Sequence, residues 1–257
     1  MIQTRNQMAL LIDAIGLTKT FGGIRAVDDV SITVSSGEVV GFLGPNGAGK
    51  TTTMRMLTGF LHPTAGSVRL GGVDIDEDPI AARRHFGYLP EGAPAYPDMT
   101  VREYLNFIAA ARGIAGTERR AAIDTVAARV HLRGVMAQTI ETLSKGFKRR
   151  VGIAQAILHD PKVLIMDEPT DGLDPNQKHE VRQLIREMGK TKAIVLSTHI
   201  LEEVEAVCTR AVVITAGRVV FDGTPSEFEA RAPASVTRHR MDHVFRELTA
   251  AAAEVPA

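Results

Sequence analysis

The fold is decided by the stretch Glu38-Val-Val-Gly-Phe-Leu43-Gly44-Pro-Asn-Gly-Ala-Gly-Lys50-Thr-Thr-Thr-Met54. Its first part, Glu38–Leu43, has the apolar character of a buried strand. The strand runs directly into a glycine-rich turn. From Lys50 onward, apolar residues recur at spacings of three and four, which predicts a helix. The stretch therefore predicts a strand, a tight turn and a helix in immediate succession.

The turn fits the pattern of a phosphate-binding loop: glycine, four residues, glycine, lysine and a hydroxyl residue. Glycines let the backbone wrap tightly and direct its N–H groups at phosphate oxygens. Lys50 supplies a charge for the β- and γ-phosphates, Thr51 offers a hydroxyl to Mg²⁺, and the helix begins at its positive end. We predict a nucleoside triphosphate site on Gly44, Pro45, Asn46, Gly47, Ala48, Gly49, Lys50 and Thr51.

A second signal is the apolar run Val163–Met166, which ends in Asp167 and Glu168. On its own, such a pair is usually a solvated strand end. Beside a phosphate-binding loop, Asp167 is in a position to hold Mg²⁺ opposite Thr51. Glu168 then becomes the candidate general base that polarises a water for attack on the γ-phosphate.

The pattern along the chain predicts strands and helices in alternation. A mixed helix, Gln177–Met188, separates the strand Val163–Met166 from the strand Ala193–Ser197, which favours a parallel sheet covered by helices. Helical signals dominate from Asp98 to His159. Further short strands are predicted around Ile32–Val34, over Gly66–Val73, over Ala211–Thr215 and over Arg218–Phe221.

Composition excludes several classes of protein. The 257 residues contain 30 Lys plus Arg and 30 Asp plus Glu, so a whole-surface attraction to nucleic acid is not expected. The single cysteine, Cys208, allows no internal disulfide and favours a reducing compartment. The longest run without a charged residue, Met56–Val68, is too short to span a bilayer.

A third signal narrows the choice among phosphate-loop ATPases, kinases and GTPases. Leu143–Phe147 reads Leu-Ser-Lys-Gly-Phe and precedes a predicted helix, Lys148–His159. Here the chain resembles the ATP-binding cassette (ABC) family, whose signature is Leu-Ser-Gly-Gly-Gln at a helix start. The motifs follow the family's order, and the resemblance covers roughly residues 9–223. No Asn-Lys-x-Asp motif of G proteins is present.

The resemblance implies a role for each matched residue. Phe21 corresponds to the aromatic residue that stacks on adenine, and the phosphate loop extends to Thr52. Asp167 and Glu168 correspond to the metal-binding and water-polarising carboxylates, and His199 to the histidine that senses the γ-phosphate. Ser144, Gly146 and Asp174 correspond to residues that face the ATP of an opposite protomer.

Two positions depart from the family's pattern. Lys145 and Phe147 replace a glycine and a glutamine of the signature, so only Ser144 and Gly146 remain for phosphate contact. Glu91 stands where the family usually places glutamine. A carboxylate remains a hard oxygen ligand for Mg²⁺, but it adds negative charge beside a triphosphate.

The resemblance further implies an α/β fold of the phosphate-loop (RecA-like) type, in which an antiparallel β subdomain and an α-helical subdomain join the parallel core. We expect an ABC ATPase domain over 9–224, with its helical subdomain at about 92–160, and a tail over 225–257. Val244, Phe245 and Leu248 share a helical face there. This favours an amphipathic helix docked on its own domain over a regulatory contact.

The closest similarity is to export subunits of the gliding-motility and multidrug type. It implies an ATPase that uses ATP and Mg²⁺, pairs with a second cassette and drives separate transmembrane permease subunits. Both half-sites are present in this sequence, which favours a homodimer over a pair with a different cassette. Such a subunit is cytoplasmic and peripheral on the inner face of the cell membrane. The alternative is a soluble ABC ATPase that acts on ribosomes or DNA, whose members usually carry two cassettes or a long coiled coil.

Overall fold

A computed structural model describes residues 9–253, which form two sheets and a set of covering helices. The last four residues of the predicted tail, 254–257, lie outside the described residues. In chain order the elements are β1 (Leu10–Phe21), β2 (Ile24–Ser35), β3 (Val39–Leu43), α1 (Lys50–Leu57), β4 (Ala65–Leu70), β5 (Val73–Asp74), α2 (Pro79–His85), β6 (Phe86–Leu89), α3 (Val101–Ala111), α4 (Gly116–Arg129), α5 (Lys145–Ile157), β7 (Val163–Asp167), α6 (Pro175–Gly189), β8 (Ala193–Thr198), α7 (Leu201–Val207), β9 (Arg210–Thr215), β10 (Arg218–Gly223), α8 (Pro225–Ala230) and α9 (Arg240–Ala253).

The larger sheet positions the candidate site. Its strand order is β10-β9-β3-β8-β7-β6, and all neighbours except β10 and β9 are parallel. Every residue of β3, β7 and β8 is buried, as expected for parallel strands that helices cover on both faces. Because β3, β8 and β7 are adjacent, the loops that follow them meet at one edge of the sheet.

The smaller sheet is antiparallel, with the order β2-β1-β4-β5. Val30, Ile32 and Val34 of β2 are buried, and Ser31 and Thr33 between them are exposed, which is the alternation of a strand with one face on the core. The two sheets together confirm the predicted α/β fold with an added antiparallel part. The strands predicted over Gly66–Val73 are confirmed as β4 and β5.

Two predicted helix boundaries were wrong. The helix predicted at Lys148 begins at Lys145, because Ser144 caps it by accepting a hydrogen bond from the Phe147 backbone N–H at 3.4 Å. The helix predicted at Gln177 begins at Pro175, because Asp174 caps it in the same way at 2.9 Å. In both cases a residue that the sequence analysis predicts to be functional also caps the N-terminus of the helix.

The segment after β10 packs on the core. Val244 of α9 is 2% exposed and lies in one apolar cluster with Phe221, Phe228 and Met241, against which Phe245 and Leu248 also pack. The amphipathic helix is therefore docked on its own domain. Cys208, after α7, packs so closely on β3 that a Cβ at Gly41 would lie 2.8 Å from its Sγ.

Helices that could cross a membrane are missing from residues 9–253: none is both long enough and apolar enough.

Candidate functional site

The glycine-rich loop between β3 and α1 is tightly built. A Cβ on Gly44 would lie 2.3 Å from the backbone oxygen of Ile214. Gly49 has a φ of 105°, and a Cβ there would lie 2.7 Å from the backbone oxygen of Ala26. Gly47 also has a positive φ, but its side faces open space. Gly44 and Gly49 are thus required by packing. Gly47 leaves the outer face of the loop without a side chain.

Lys50 begins α1 underneath this loop and is only 6% exposed. Its ammonium donates hydrogen bonds to the backbone oxygens of Gly44 at 2.7 Å and Pro45 at 3.1 Å. Burial lowers the pKa of Lys50, and the carboxylates of Glu168, Asp167 and Glu91 oppose that shift. The lysine and the three predicted acidic residues are therefore brought to one place. Thr51 and Thr52 follow Lys50 and are partly exposed.

Asp167 ends β7 and is 1% exposed. Its Oδ1 accepts a hydrogen bond from the hydroxyl of Ser197 on β8. Its Oδ2 is buried and has no hydrogen-bond partner among the described residues. A buried carboxylate oxygen without a donor is costly unless a cation satisfies it. The residues present therefore fit a hard divalent cation such as Mg²⁺.

Glu168 and His199 form a pair at the ends of adjacent strands. Glu168 Oε1 lies 3.0 Å from His199 Nδ1. The backbone of Glu168 has a φ of 48°, a left-handed conformation that costs a non-glycine residue about 1–3 kcal/mol. Its N–H donates to the hydroxyl and the backbone oxygen of Ser197 at 3.1 and 3.2 Å, which holds it there. The side chains are 18% and 47% exposed, so the pair is open to a ligand.

The remaining predicted residues of this surface are exposed. Phe21 ends β1 and is 48% exposed, with the Lys19 ammonium 5.3 Å from its ring centroid. Glu91 lies two residues after β6 and is exposed. Its charge acts on Lys50 and on Tyr88, whose pKa is raised to about 12, mainly by burial.

Ser144, Gly146 and Asp174 lie on a second surface, where α5 and α6 begin side by side. A Cβ on Gly146 would lie 2.3 Å from Gln177 Oε1, so the glycine lets the two helices approach. Ser144 and Asp174 are exposed. No hydrogen bond or ion pair within residues 9–253 joins these three residues to the phosphate loop. A single chain thus presents two separate groups of predicted site residues.

Lys145, the first departure from the signature, is paired within the chain. Its ammonium lies 3.0 Å from Asp171 Oδ2, and this hydrogen bond holds the pKa of Asp171 below its usual range. The charge that Lys145 adds to the signature turn is therefore met by a neighbouring carboxylate.

Sequence reasoning missed three residues. Ser197 fixes Asp167 and Glu168, Arg149 is 2% exposed with its Nη1 unpartnered in the described structure, and Glu203 is a buried carboxylate. Arg149 stands in the run Lys-Arg-Arg, which is typical of an exposed helix face. Ser197 and Glu203 contact their partners only in the folded chain, so no local pattern could have identified them.

Comparison with known proteins decides the family. A family model described as ABC transporter matches residues 27–171. This chain belongs to the ABC transporter family. The family predicted from the motifs is therefore confirmed.

Individual ABC relatives agree with this assignment. The chain is 42% identical over 209 residues to the Nod factor export ATP-binding protein I of Paraburkholderia xenovorans, covering 81% of this chain and 69% of that protein. It is 35% identical over 223 residues to the probable multidrug ABC transporter ATP-binding protein YbhF of Escherichia coli, covering 86% of this chain but only 38% of that protein. A solved ATP-binding subunit of an ABC transporter superposes with a TM-score of 0.83 at 31% identity, covering 93% of this chain and 99% of that one.

As an ABC family member, the chain is an ATP-binding subunit of a transporter and an ATPase coupled to transport. Such subunits work with membrane components. The alternative of an ABC ATPase that acts on ribosomes or DNA has no support from these relatives, whose names are those of transporters.

Proposed function

We propose that two copies of this chain close around two ATP molecules and drive export through separate transmembrane permease subunits, as a cytoplasmic subunit on the inner face of the membrane. The observation that carries the proposal is the Glu168–His199 pair at 3.0 Å, which faces Lys50 and lies beside Asp167 Oδ2, an oxygen with no hydrogen-bond partner within residues 9–253. The direction of transport rests on the relative named for Nod factor export.

In this proposal the ATPase domain spans 9–224, its helical subdomain about 92–160, and a further segment 225–257. The described part of 92–160 contains α3, α4, α5 and two short 3-10 helices, Arg133–Val135 and Ile140–Thr142, and none of the strands. The described part of 225–257 contains α8 and α9.

ATP is held by the phosphate loop and by Phe21, whose exposed ring stacks on the base. The loop residues Gly44–Thr52 wrap the phosphates, toward which the first turn of α1 directs its N–H groups. Lys50 exchanges its contacts with the backbone oxygens of Gly44 and Pro45 for phosphate oxygens. Burial lowers the pKa of this ammonium, and the carboxylates of Glu168, Asp167 and Glu91 oppose that shift and so favour its charged form.

Thr51, Asp167 and Glu91 would hold Mg²⁺. When bound, the ion neutralises charge on the β- and γ-phosphate oxygens. Asp167 is fixed for this role by Ser197, which occupies one carboxylate oxygen and leaves the other for the ion.

Glu168 accepts a proton from the water that attacks the γ-phosphate. His199 orients this carboxylate through Nδ1. Within residues 9–253 no other hydrogen bond uses the imidazole of His199, so Nε2 is available to a γ-phosphate oxygen. Lys50 thereby places a donor where charge is redistributed during hydrolysis. His199 adds a second donor through Nε2 when both of its ring nitrogens carry a proton, since Nδ1 is used on Glu168.

Ser144, Gly146 and Asp174 complete the site of the opposite copy. The hydroxyl of Ser144 and the exposed start of α5 provide the donors for a phosphate of the partner's ATP. Within residues 9–253 this surface has no hydrogen bond or ion pair with the chain's own phosphate loop, which supports a role toward the ATP of a second cassette, in this proposal a second copy of the chain.

The permease docks in a groove between the core and the helical subdomain. The groove has a volume of 1140 Å³, and Tyr88, Pro90 and Pro94 are among the residues that line it. Its walls combine apolar side chains, such as Phe60, Ile80 and Tyr104, with three arginines and two carboxylates: Arg83, Arg84, Arg112, Glu118 and Asp160. A permease segment with apolar and acidic residues is complementary to this lining.

The first test is the oligomeric state of Glu168→Gln, measured by size-exclusion chromatography with light scattering. We expect a shift from monomer to dimer when ATP and Mg²⁺ are added, because bound ATP persists when hydrolysis is slow. The double variant Glu168→Gln, Ser144→Ala is the control and should shift less, since it lacks the hydroxyl offered to the partner's phosphate. ATP binding without any shift would contradict the homodimer.

A further inference from the structure

Glu203 is a buried acidic residue that the proposed reaction does not use. It lies in α7 and is 2% exposed, an unusual position for a carboxylate unless it has partners. Burial raises the pKa of Glu203, and the hydrogen bond from Thr198 is the main opposing effect. The burial of this group therefore costs free energy, and its partners indicate what it does.

Each carboxylate oxygen of Glu203 accepts a hydrogen bond from a different part of the chain. Oε1 accepts from the hydroxyl of Thr170, in the loop after β7. Oε2 accepts from the hydroxyl of Thr198, the last residue of β8, at 2.7 Å. Both threonines are 2% exposed, so water does not replace these contacts.

The two threonines flank the catalytic pair. Thr170 follows Glu168 by two residues, and the Asp171 N–H donates to the Glu168 backbone oxygen at 3.1 Å in the same turn. Thr198 directly precedes His199, and its hydroxyl accepts the N–H of Ile200 at 3.0 Å. One carboxylate thus ties together the two backbone segments that carry Glu168 and His199.

We propose that Glu203 is a positioning residue: its carboxylate fixes the loop after Glu168 to the strand end before His199 and so keeps the pair at the distance that hydrolysis needs. The inference rests on the proposed function of that pair. The inference goes beyond the proposed function because it assigns the alignment of Glu168 and His199 to a residue that contacts neither ATP nor the attacking water. Arg182 of α6, whose Nη2 lies 4.0 Å from Glu203 Oε1, adds a cation to the same anchor.

The test compares ATP hydrolysis by Glu203→Ala, Glu203→Gln and Glu202→Ala, with rates normalised to the concentration of sites that bind a fluorescent ATP analogue. Glu202 is the exposed neighbour in the same turn and serves as the matched control. We expect Glu203→Ala to lower kcat by about 10- to 100-fold, since displacing a reacting group by about 1 Å costs a factor of that size. KM for ATP should change by less than about twofold, because the phosphate loop is untouched.

Glu203→Gln should keep kcat within about threefold of the wild type, since its amide oxygen accepts from one threonine hydroxyl, its NH₂ donates to the other, and the shape is retained. A merely structural role would lower the melting temperature of Glu203→Ala but leave kcat per binding site unchanged. Equal kcat values for Glu203→Ala and Glu202→Ala would overturn the inference.

Thr198→Val and Thr198→Ser keep the test decisive if Glu203→Ala does not fold. The serine retains the hydroxyl and should hydrolyse ATP normally, and the valine should lose kcat without losing ATP binding. Equal kcat for the two variants would count against the inference. Glu168→Gln in the same assay separates the two proposals: a normal rate for that variant would remove the proposed base itself.

Discussion

Arg149 and Lys50 are the two buried cations that face the carboxylates of the candidate site. Burial lowers the pKa of each. Asp171 opposes the shift most strongly for Arg149, and Glu168, Asp167 and Glu91 oppose it in both cases. Glu91 brings a negative charge where the family usually has a neutral glutamine. Both cations lie within electrostatic reach of Glu91, although its effect on their pKa is smaller than that of Glu168 or Asp167.

Substitution of Glu168 and substitution of Lys50 should affect different steps, hydrolysis in the first case and ATP binding in the second. Glu168→Gln should keep ATP binding and slow hydrolysis by about 10²- to 10⁴-fold, the usual contribution of a general base. Lys50→Ala should weaken ATP binding itself, because it removes the charge beneath the phosphate loop. Phosphate release and equilibrium dialysis with ATP measure the two effects separately.

The control for this comparison is Glu205→Gln, which alters an exposed carboxylate on α7. It should behave as the wild type in both measurements. Hydrolysis at the normal rate by Glu168→Gln would show that another group takes the proton.

At the level of elements, the sequence predicted those whose pattern is local and long. The buried strands β3, β7 and β8 are continuous apolar runs, so they were predicted to within one residue. The helix α7 was missed, because seven residues are too few to show a helical period. The boundary of α5 was misplaced because Ser144 was interpreted as a ligand residue before a helix rather than as its cap.

The residues of the candidate site likewise fall into those that the sequence predicted and those that it did not. Lys50, Asp167 and Glu168 were predictable, since each stands in a contiguous motif that ends a strand or begins a helix. Glu203 was not, because its significance depends on two hydroxyls that lie 33 and 5 residues away in sequence and meet it only in the folded chain.

The turn between α5 and β7 carries a pH-sensitive histidine. His159 Nε2 lies 3.1 Å from the backbone oxygen of Phe86, and burial, with the nearby charge of Arg112, lowers the pKa of His159 from 6.5 to about 4. Between these values the unfolded chain binds more protons than the folded chain, so the free energy of unfolding falls as the pH falls.

We expect His159→Gln to remove this part of the pH dependence. The free energy of unfolding of the variant, measured by urea denaturation, should lose less than that of the wild type between pH 6.5 and about 4. His179→Gln, at an exposed position of α6, is the control and should follow the wild type. Parallel curves for His159→Gln and the wild type would contradict the assignment.

At the scale of the whole molecule, acidic and basic residues are equal in number, but their charges are unevenly distributed. Three arginines lie together in the groove. Arg83, Arg84 and Arg112 line the groove and form no salt bridge with any carboxylate in residues 9–253. Phe60 and Ile80 beside them are 76% and 68% exposed. A contiguous patch of this kind indicates a contact surface.

Reversing charge in the groove should uncouple membrane association from catalysis. The double variant Arg83→Glu, Arg84→Glu should sediment several-fold less with inside-out membrane vesicles that contain the permease, because an acidic partner segment is then repelled. Its ATPase rate without vesicles should equal that of the wild type. Arg238→Glu, Arg246→Glu changes two exposed arginines near α9 and is the matched control. Unchanged sedimentation of the groove variant alongside intact ATPase activity would contradict the docking proposal.

The position of Cys208 gives the chain a practical advantage. The only thiol of the sequence packs against Gly41 of β3, and burial raises its pKa, so it is a poor nucleophile at neutral pH. A second cysteine introduced at an exposed site outside the proposed ATP site, such as Ser226, would therefore take up a maleimide fluorophore or spin label selectively, without prior removal of the native thiol. Distances between labels on two such chains would report opening and closing through each catalytic cycle.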